Sequence, residues 1–243
     1  MGKGNRPRWT SAGIKDGIES VYFRKFKYFI DYIYEKRTDV AQFVFRGHRK
    51  ETYLLESTLE RRLRGRNDKE VAVKAHLDRF KMAARGRRGD NPVDYENDDD
   101  WWALGQHHGL STPLLDWTYS PFLAAYFAFF ETKQDDTKKR VIFGLNRERM
   151  TTDSEIEFYI PDTDDNPRLL NQNGLFTRNK TDLPLEDHIA RKHAGTTDTV
   201  LLRVEIPKEE RVAALEMLET MNINHKTLFP DIFGAAMYAN TRV

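Results

Sequence analysis

Cysteine is absent from the 243 residues, and this absence excludes several classes of site at once. Disulfide scaffolds, thiolate zinc sites, iron–sulfur clusters and cysteine nucleophiles all need a thiol. Long apolar runs are also missing, since no stretch approaches the roughly 18 residues of a membrane span. The opening segment MGKGNRPRWT has no apolar core of the kind a secretory signal carries. The sequence therefore predicts a cytoplasmic protein that does not insert into a membrane.

Several common catalytic motifs are missing as well. The chain contains no Gly-x-x-x-x-Gly-Lys-Ser/Thr loop, no Gly-x-Gly-x-x-Gly fingerprint and no Gly-x-Ser-x-Gly elbow. These absences disfavour the usual nucleotide hydrolysis, Rossmann redox chemistry and serine hydrolysis. His107 and His108 are adjacent, so on a helix they point about 100° apart and do not share one metal easily. We predict no metal site.

The composition nevertheless supports a folded core. Hydrophobic residues make up 39% of the chain and aromatic residues 12%, which is enough apolar surface to exclude global disorder. The length fits one large domain, because single domains usually have about 100 to 200 residues. We expect a flexible basic arm over residues 1–12 and a single domain over residues 13–243.

The charge is distributed unevenly along the chain. Residues 1–90 contain 23 Lys and Arg against 12 Asp and Glu, whereas the remainder is acidic by a similar margin. A basic first third can attract nucleic acid or nucleotides, but it can equally pack against the acidic part. Few aromatic residues lie among the charges of residues 61–88, so stacking on bases is poorly supported there. A non-catalytic module that binds nucleic acid or protein is the alternative function.

Hydrophobic periodicity predicts helices first and strands later. Ser57 and Glu60 have the spacing of a capping box, and Ser120-Pro121 has the N-cap and first-turn residues of a buried helix. This order predicts an α+β fold, with a mixed or antiparallel sheet flanked by helices. The predicted helices span 17–37, 57–63, 67–84, from 98, from 120, 184–193, 208–221 and 231–240; the predicted strands span 40–47, 140–146, 155–160, 168–176 and 200–206.

The segment from Gln106 to Phe130 has the most unusual chemistry. Two histidines, three hydroxyls and an Asp-Trp pair precede the buried helix. Unpaired N–H groups at a helix N-terminus bind anions, so Thr118 and Ser120 are candidate contacts for an anionic ligand. The alternative is structural, with Asp116 and Ser120 capping the helix.

Arg46 closes an otherwise apolar predicted strand. A guanidinium in that setting needs an anionic partner, since burying it alone costs several kcal/mol. The partner is Asp116 or a bound ligand, and the residues leave both open. Gln172 and Gly174 interrupt another apolar strand, which indicates either a ligand contact or a bulge.

These segments resemble the FRG domain family, named for an aromatic-Arg-Gly motif. The arginine that usually precedes the Leu-Leu-Asp-Trp of the family is missing, since this chain has Ser111-Thr112-Pro113 there. The resemblance covers roughly residues 41–236. Its motifs are Phe45-Arg46-Gly47, Gln106-His107-His108-Gly109, Leu114-Leu115-Asp116-Trp117-Thr118 with Ser120-Pro121, Ala125-Tyr126-Phe127-Ala128, Gln172-x-Gly174-x-Phe176 and Leu228-Phe229-Pro230-Asp231.

A weaker resemblance is to the ADP-ribosyltransferase fold. Its aromatic-Arg-Gly strand end is similar to Phe45-Arg46-Gly47, and its strand leading into an Ala- and Phe-containing helix is similar to residues 117–127. The late catalytic glutamate of that fold has no acidic counterpart here, since Gln172 stands at a comparable place.

Together the two resemblances imply a protein of bacteria or phages, in a defence or toxin-like setting, that binds a nucleotide such as NAD. They imply an ADP-ribosyltransferase or an NAD glycohydrolase. The residues implied in contacts with the nucleotide are Arg46, Gly47, Gln106, Thr118 and Ser120, and those implied in catalysis are His107, Asp116 and Gln172. The competing interpretation is that Arg46, His107 and Asp116 form only a buried polar network, which would stabilise the fold and do no chemistry.

Overall fold

Eight strands form one mixed sheet in the computed structural model of the chain, which describes residues 7–90, 92–131, 137–161 and 167–240. The strand order across the sheet is β1-β2-β8-β5-β3-β4-β7-β6. Neighbouring strands are antiparallel except for β2 and β8, which are parallel. The strands are β1 Trp9–Lys15, β2 Ile18–Phe23, β3 Phe43–His48, β4 Leu114–Thr118, β5 Lys139–Asn146, β6 Ile156–Tyr159, β7 Gly174–Asn179 and β8 Leu201–Pro207.

Helices surround this sheet, so the predicted α+β class and the mixed sheet are confirmed. Short 3-10 turns cover Val40–Gln42 and Lys208–Glu210. The α-helices are α1 Phe26–Lys36, α2 Thr58–Leu63, α3 Lys69–Ala84, α4 Asp98–His107, α5 Pro121–Phe129, α6 Arg147–Met150, α7 Pro167–Asn171, α8 Leu185–Lys192, α9 Arg211–Thr220, α10 His225–Leu228 and α11 Ile232–Asn240.

The helix starts that were predicted from capping residues are confirmed. The Ser57 hydroxyl accepts a hydrogen bond from the Glu60 N–H, and the Glu60 side chain accepts one from the Ser57 N–H. At α5 the Ser120 hydroxyl accepts from the Leu123 N–H, and Pro121 occupies the first turn. Local side chain to backbone bonds decide these positions, and for that reason the sequence alone locates them.

The prediction of a helix over 17–37 is wrong in its first part. Residues Ile18–Phe23 form β2, which pairs with β1 on one side and with β8 on the other. Asp16 and Gly17 have φ of 50° and 79° and make the turn of the β1–β2 hairpin. Residues 9–12, which the sequence assigned to a flexible arm, therefore belong to β1, and residues 1–6 lie outside the described residues.

The predicted strand over 168–176 is also wrong in its first part, and only residues 174–176 belong to a strand. α7 extends through Asn171, and β7 starts only at Gly174. Asn173 between them has φ of 45°, a left-handed conformation that ends the helix and begins the strand. Gln172 consequently lies in a turn rather than in a strand.

Helix α5 packs directly on β3 in the largest part of the core. Ala124, Ala125, Ala128 and Phe129 are all fully buried there, which confirms the deep burial predicted for this helix. A Cβ on Gly47 would lie 1.9 Å from the Ala124 carbonyl oxygen, so the missing side chain permits this approach. The opposite face of β3 carries Val44, Arg46 and His48, because side chains alternate along a strand.

Candidate functional site

Strands β3 and β4 separate beyond a single pair of residues. Phe45 opposite Thr118 is the single register pair between them, and beyond it Arg46 keeps only its partner Phe143 on β5 and Asp116 only its partner Phe176 on β7. The Arg46 guanidinium bridges the opening, where its Nη1 donates a 2.8 Å hydrogen bond to the Asp116 carbonyl oxygen. A backbone carbonyl beside the split is thereby satisfied by a side chain instead of a strand partner.

The Arg46 guanidinium also contacts the Asp116 carboxylate. Its Nη1 lies 3.3 Å from Asp116 Oδ2, and its Nε donates to His48 Nε2 at 3.1 Å. Burial lowers the pKa of Arg46 and the Asp116 charge opposes this, but an arginine remains protonated at any physiological pH. The Arg46 side chain is 26% exposed and the Asp116 side chain 60% exposed, so solvent meets the carboxylate more than the guanidinium.

Gln106 holds the second oxygen of the same carboxylate. Its Nε2 donates to Asp116 Oδ1 at 2.5 Å, and its Oε1 accepts a hydrogen bond from the Thr112 hydroxyl. Thr112 thus fixes which end of the Gln106 amide faces Asp116. Both carboxylate oxygens are therefore oriented by donors from two different elements, β3 and α4.

A small cavity opens beside this carboxylate. Its volume is about 150 Å³, similar to a cavity that holds one six-membered ring. Gln172, in the turn before β7, lies across it and donates a long 3.4 Å hydrogen bond to the Leu228 carbonyl oxygen. The lining residues are Gln106, His107, Asp116, Leu169, Gln172, Phe176 and Phe229.

The structure thus brings four of the predicted site residues, Gln106, His107, Asp116 and Gln172, to one cavity. Arg46 contacts Asp116 but is not among the lining residues.

Three other predicted residues lie elsewhere. Gly47 lies under helix α5. Thr118 is buried, and its hydroxyl accepts from the Ser120 N–H at 3.2 Å, while the Ser120 hydroxyl caps α5. The hydroxyls at the start of α5 therefore serve the strand-to-helix turn.

Residues 41–137 match the FRG domain family. The chain carries an FRG domain. The matched residues include Arg46, Gln106, His107 and Asp116, whereas Gln172 follows the matched span. Comparison with curated proteins and with solved structures gives no match. Among the helices of the described residues, none has the length and apolar character needed to cross a bilayer.

Four side chains of the site were not singled out from the sequence. Thr112 was noted only as a residue that matches the FRG pattern, and Phe176 and Phe229 stood in quoted motifs without a role. Leu169 was placed on a strand that the structure replaces by α7. A signal existed for both phenylalanines, since each belongs to a quoted motif that also contains a polar side chain. Leu169 carried none.

One group of potential metal ligands lies away from this site. Asp153, Glu155 and His188 could together offer ligand atoms. His188 Nε2 lies 2.8 Å from Asp153 Oδ2, and the Lys192 ammonium lies 2.9 Å from Asp153 Oδ1. Lys192 already supplies the positive charge that a buried carboxylate needs, so these residues form an internal ion-pair network.

The basic first third of the chain is partly neutralised by ion pairs. Lys81 lies 2.6 Å from Asp98, Arg66 lies 2.7 Å from Asp68, and Lys69 contacts Asp182. These pairs favour a solvated, charged face over a continuous surface for nucleic acid.

His48, which accepts a hydrogen bond from Arg46, makes the stability of the chain depend on pH. Burial, reinforced by the Arg46 charge, lowers the pKa of His48 to about 3, against about 6.5 in an unfolded chain. The ring is therefore neutral in the fold, and below pH 6.5 the unfolded chain binds the proton preferentially. Stability is complete above pH 6.5 and falls as the pH is lowered toward 3.

From pH 6.5 to 4.5, we expect the free energy of unfolding to fall by about 2 kcal/mol more in the native chain than in His48→Gln. Urea denaturation at several pH values measures both slopes. Glutamine keeps an acceptor for the Arg46 Nε–H but does not titrate, so it isolates the contribution of the ring. Parallel slopes would show that His48 does not bind its proton differently in the two states.

Proposed function

We propose that this FRG domain binds a nucleotide such as NAD and breaks the bond between nicotinamide and ribose, as an NAD glycohydrolase or an ADP-ribosyltransferase. An ADP-ribosyltransferase-like arrangement of the fold is part of this proposal. The observation that supports it most is the Asp116 carboxylate, which is held by Arg46 and Gln106 and exposed beside a cavity of ring size.

The nicotinamide ring suits this cavity in size, charge and polarity. The nicotinamide needs the volume of one six-membered ring, and Phe176 and Phe229 supply aromatic side chains to the cavity lining. The ring of oxidised NAD carries a positive charge, which the Asp116 carboxylate attracts. The Gln172 side chain lies across the cavity, and its Oε1 accepts no hydrogen bond from the described residues, so it can accept from the carboxamide of the ligand.

The proposed reaction breaks the bond between the nicotinamide nitrogen and C1′ of the ribose. The electron pair of that bond leaves with the nicotinamide, which becomes neutral, and the positive charge moves to the ribose as an oxocarbenium-like centre. Asp116 stabilises that charge, because a carboxylate that Arg46 and Gln106 already hold in place needs little reorganisation. Water, or the nucleophile of an acceptor, then bonds to C1′ and gives up its proton, and we assign the His107 imidazole, which lines the cavity, as the base that accepts it.

Arg46 has two roles in this proposal. Two of its nitrogens, Nη1 and Nε, already hold Asp116 and His48. Its Nη2 has no hydrogen-bond acceptor among residues 7–90, 92–131, 137–161 and 167–240, so it is the donor we assign to a phosphate oxygen of the nucleotide.

Calorimetry with NAD tests binding at this cavity. The native chain should release or absorb heat on titration. Gln172→Ala should raise the dissociation constant for NAD by about five- to tenfold, which corresponds to the loss of one ordinary hydrogen bond. Asn171→Ala is the matched control, because Asn171 is adjacent and makes a similar 3.2 Å bond to the Thr227 carbonyl oxygen, yet does not line the cavity. No heat with the native chain would overturn the proposal, and so would equal weakening by both variants.

A further inference from the structure

A second and larger cavity lies on another face of helix α4. Its volume is about 710 Å³, within the usual range of 300 to 1,000 Å³ for small-molecule sites. Leu104, in the last turn of α4, and His108, the residue that follows α4, both line it. Gln106 and His107 line the smaller cavity described above. The two cavities therefore share one helix but no lining residue.

The polar lining of the large cavity is basic. Arg87, Arg88 and His108 belong to its wall, and none of the lining residues is a carboxylate. Among the described residues, no acid forms a salt bridge with Arg87 or Arg88. The nearby acids Asp90 and Asp94 lie outside the lining. The two guanidinium groups are thus positive charges that the wall itself does not neutralise.

Both guanidinium groups are held in place by their surroundings. Arg88 lies over the rings of Tyr95 and Trp101, at 4.3 and 4.7 Å from the ring centroids, and donates to the Val93 carbonyl oxygen. Arg87 Nη1 donates to the Ala83 carbonyl oxygen at 2.6 Å. Each carries further N–H groups, because a guanidinium has five. Donors that are fixed in advance lose less side-chain entropy when they bind a ligand.

The rest of the wall is apolar and includes an aromatic ring. Phe80, Ala84 and Leu104 line it with Pro92 and Val93. Such a wall favours a flat apolar body, and the two guanidinium groups favour a negative charge at its edge. The arginine guanidinium also forms bidentate hydrogen bonds with planar anionic groups.

We propose that this cavity is a second ligand site, for a small organic anion with a planar aromatic body. It is independent of the NAD proposal, because it uses none of the residues around Asp116. The anionic group contacts Arg87 and Arg88, and the aromatic body lies against Phe80 and Leu104.

The fluorophore 1-anilinonaphthalene-8-sulfonate has this chemistry and serves as the probe. Titration into the native chain should give saturable fluorescence at one site per chain. Arg87→Gln should raise the dissociation constant of the probe by at least about tenfold, because a hydrogen bond to a charged group is lost. Ala83→Trp should weaken binding, since Ala83 is an exposed lining residue and an indole there takes up part of the cavity without entering the core.

Three controls make the result decisive. Arg85→Gln removes a neighbouring exposed arginine that does not line the cavity, and it should leave binding unchanged. Asp116→Asn should also leave it unchanged, since that residue lines the other cavity. N-phenyl-1-naphthylamine, which lacks the sulfonate, should bind at least about tenfold more weakly.

The site would be excluded by any of three results. The first is that no saturable binding is seen. The second is that Arg87→Gln or Ala83→Trp binds as the native chain does while circular dichroism shows it folded. The third is that the neutral analogue binds as tightly as the sulfonate.

Discussion

Replacement of Gly47 by alanine is expected to lower the free energy of unfolding by about 3 kcal/mol or more. The new Cβ would lie 1.9 Å from the Ala124 carbonyl oxygen and 2.6 Å from the Ala128 amide nitrogen. Both atoms belong to the backbone of α5, so no side-chain rotation relieves the contact. The helix must move away from β3, and it carries some of the most deeply buried residues of the core with it.

Gly65→Ala is the control for this prediction. Gly65 has φ of +79° and open space around its Cβ position, so alanine there meets conformational strain but no collision. That strain costs about 1 kcal/mol. Urea denaturation of both variants separates the two effects. A loss in Gly47→Ala no larger than that in Gly65→Ala would show that α5 does not rest on β3 as closely as described.

Replacement of Asp116 by asparagine is expected to lower the rate of nicotinamide release from NAD by at least about 100-fold. Asparagine keeps the shape of the side chain but removes the negative charge that would stabilise the oxocarbenium-like centre. Its amide nitrogen would also face a donor, because Arg46 Nη1 and Gln106 Nε2 both point at the present carboxylate. Chromatography of released nicotinamide measures the rate.

Asp198→Asn is a matched control for the loss of an ion-paired, exposed carboxylate. Asp198 is 50% exposed and lies 2.6 Å from the Arg149 guanidinium, far from the cavity residues in the sheet order. We expect it to leave nicotinamide release unchanged. Equal rates for the native chain and Asp116→Asn would remove Asp116 from the chemistry. A native chain that binds NAD but releases no nicotinamide, alone or with any acceptor, would limit the function to binding.

Gly47→Ala and Asp116→Asn are expected to act on different properties, the first on stability and the second on the reaction. Gly47 lies on the opposite face of β3 from Arg46, and a nucleotide in the small cavity would not touch it. Its importance is expected to be structural, even though it shares the aromatic-Arg-Gly motif with Arg46. Asp116 is exposed, and its backbone carbonyl keeps the 2.8 Å hydrogen bond from Arg46 Nη1 in the variant, so Asp116→Asn should lower the melting temperature less than Gly47→Ala does.

Local signals in the sequence predicted much of the fold. The capping box at Ser57, the N-cap at Ser120 and the apolar character of α5 are decided by neighbours along the chain, and the structure confirms them. The helix expected over 17–37 was wrong in its first part, because the spacing of apolar residues in Ile18–Phe23 fits both the helical repeat and the two-residue repeat of a strand. Pairing with β8, which is distant in sequence, made that segment a strand.

The partner of Arg46 illustrates the same limit at the site. The sequence left two partners open, Asp116 and a ligand. In the structure Arg46 donates to the backbone carbonyl and the carboxylate of Asp116. The role of Thr112 could not be seen either, because it acts by orienting the Gln106 amide across a loop.

The sequence by itself determined the α+β class, the capped helix starts and the residues that carry the FRG resemblance, because these depend on side-chain chemistry and short-range spacing. Only the tertiary structure decided that β3 and β4 separate at Arg46, and that Gln172 reaches the cavity beside Asp116 from a turn. The physical reason is that strand pairing joins residues far apart in the chain. The register of that pairing is set by the packing of the whole sheet, so it cannot be predicted from neighbouring residues alone.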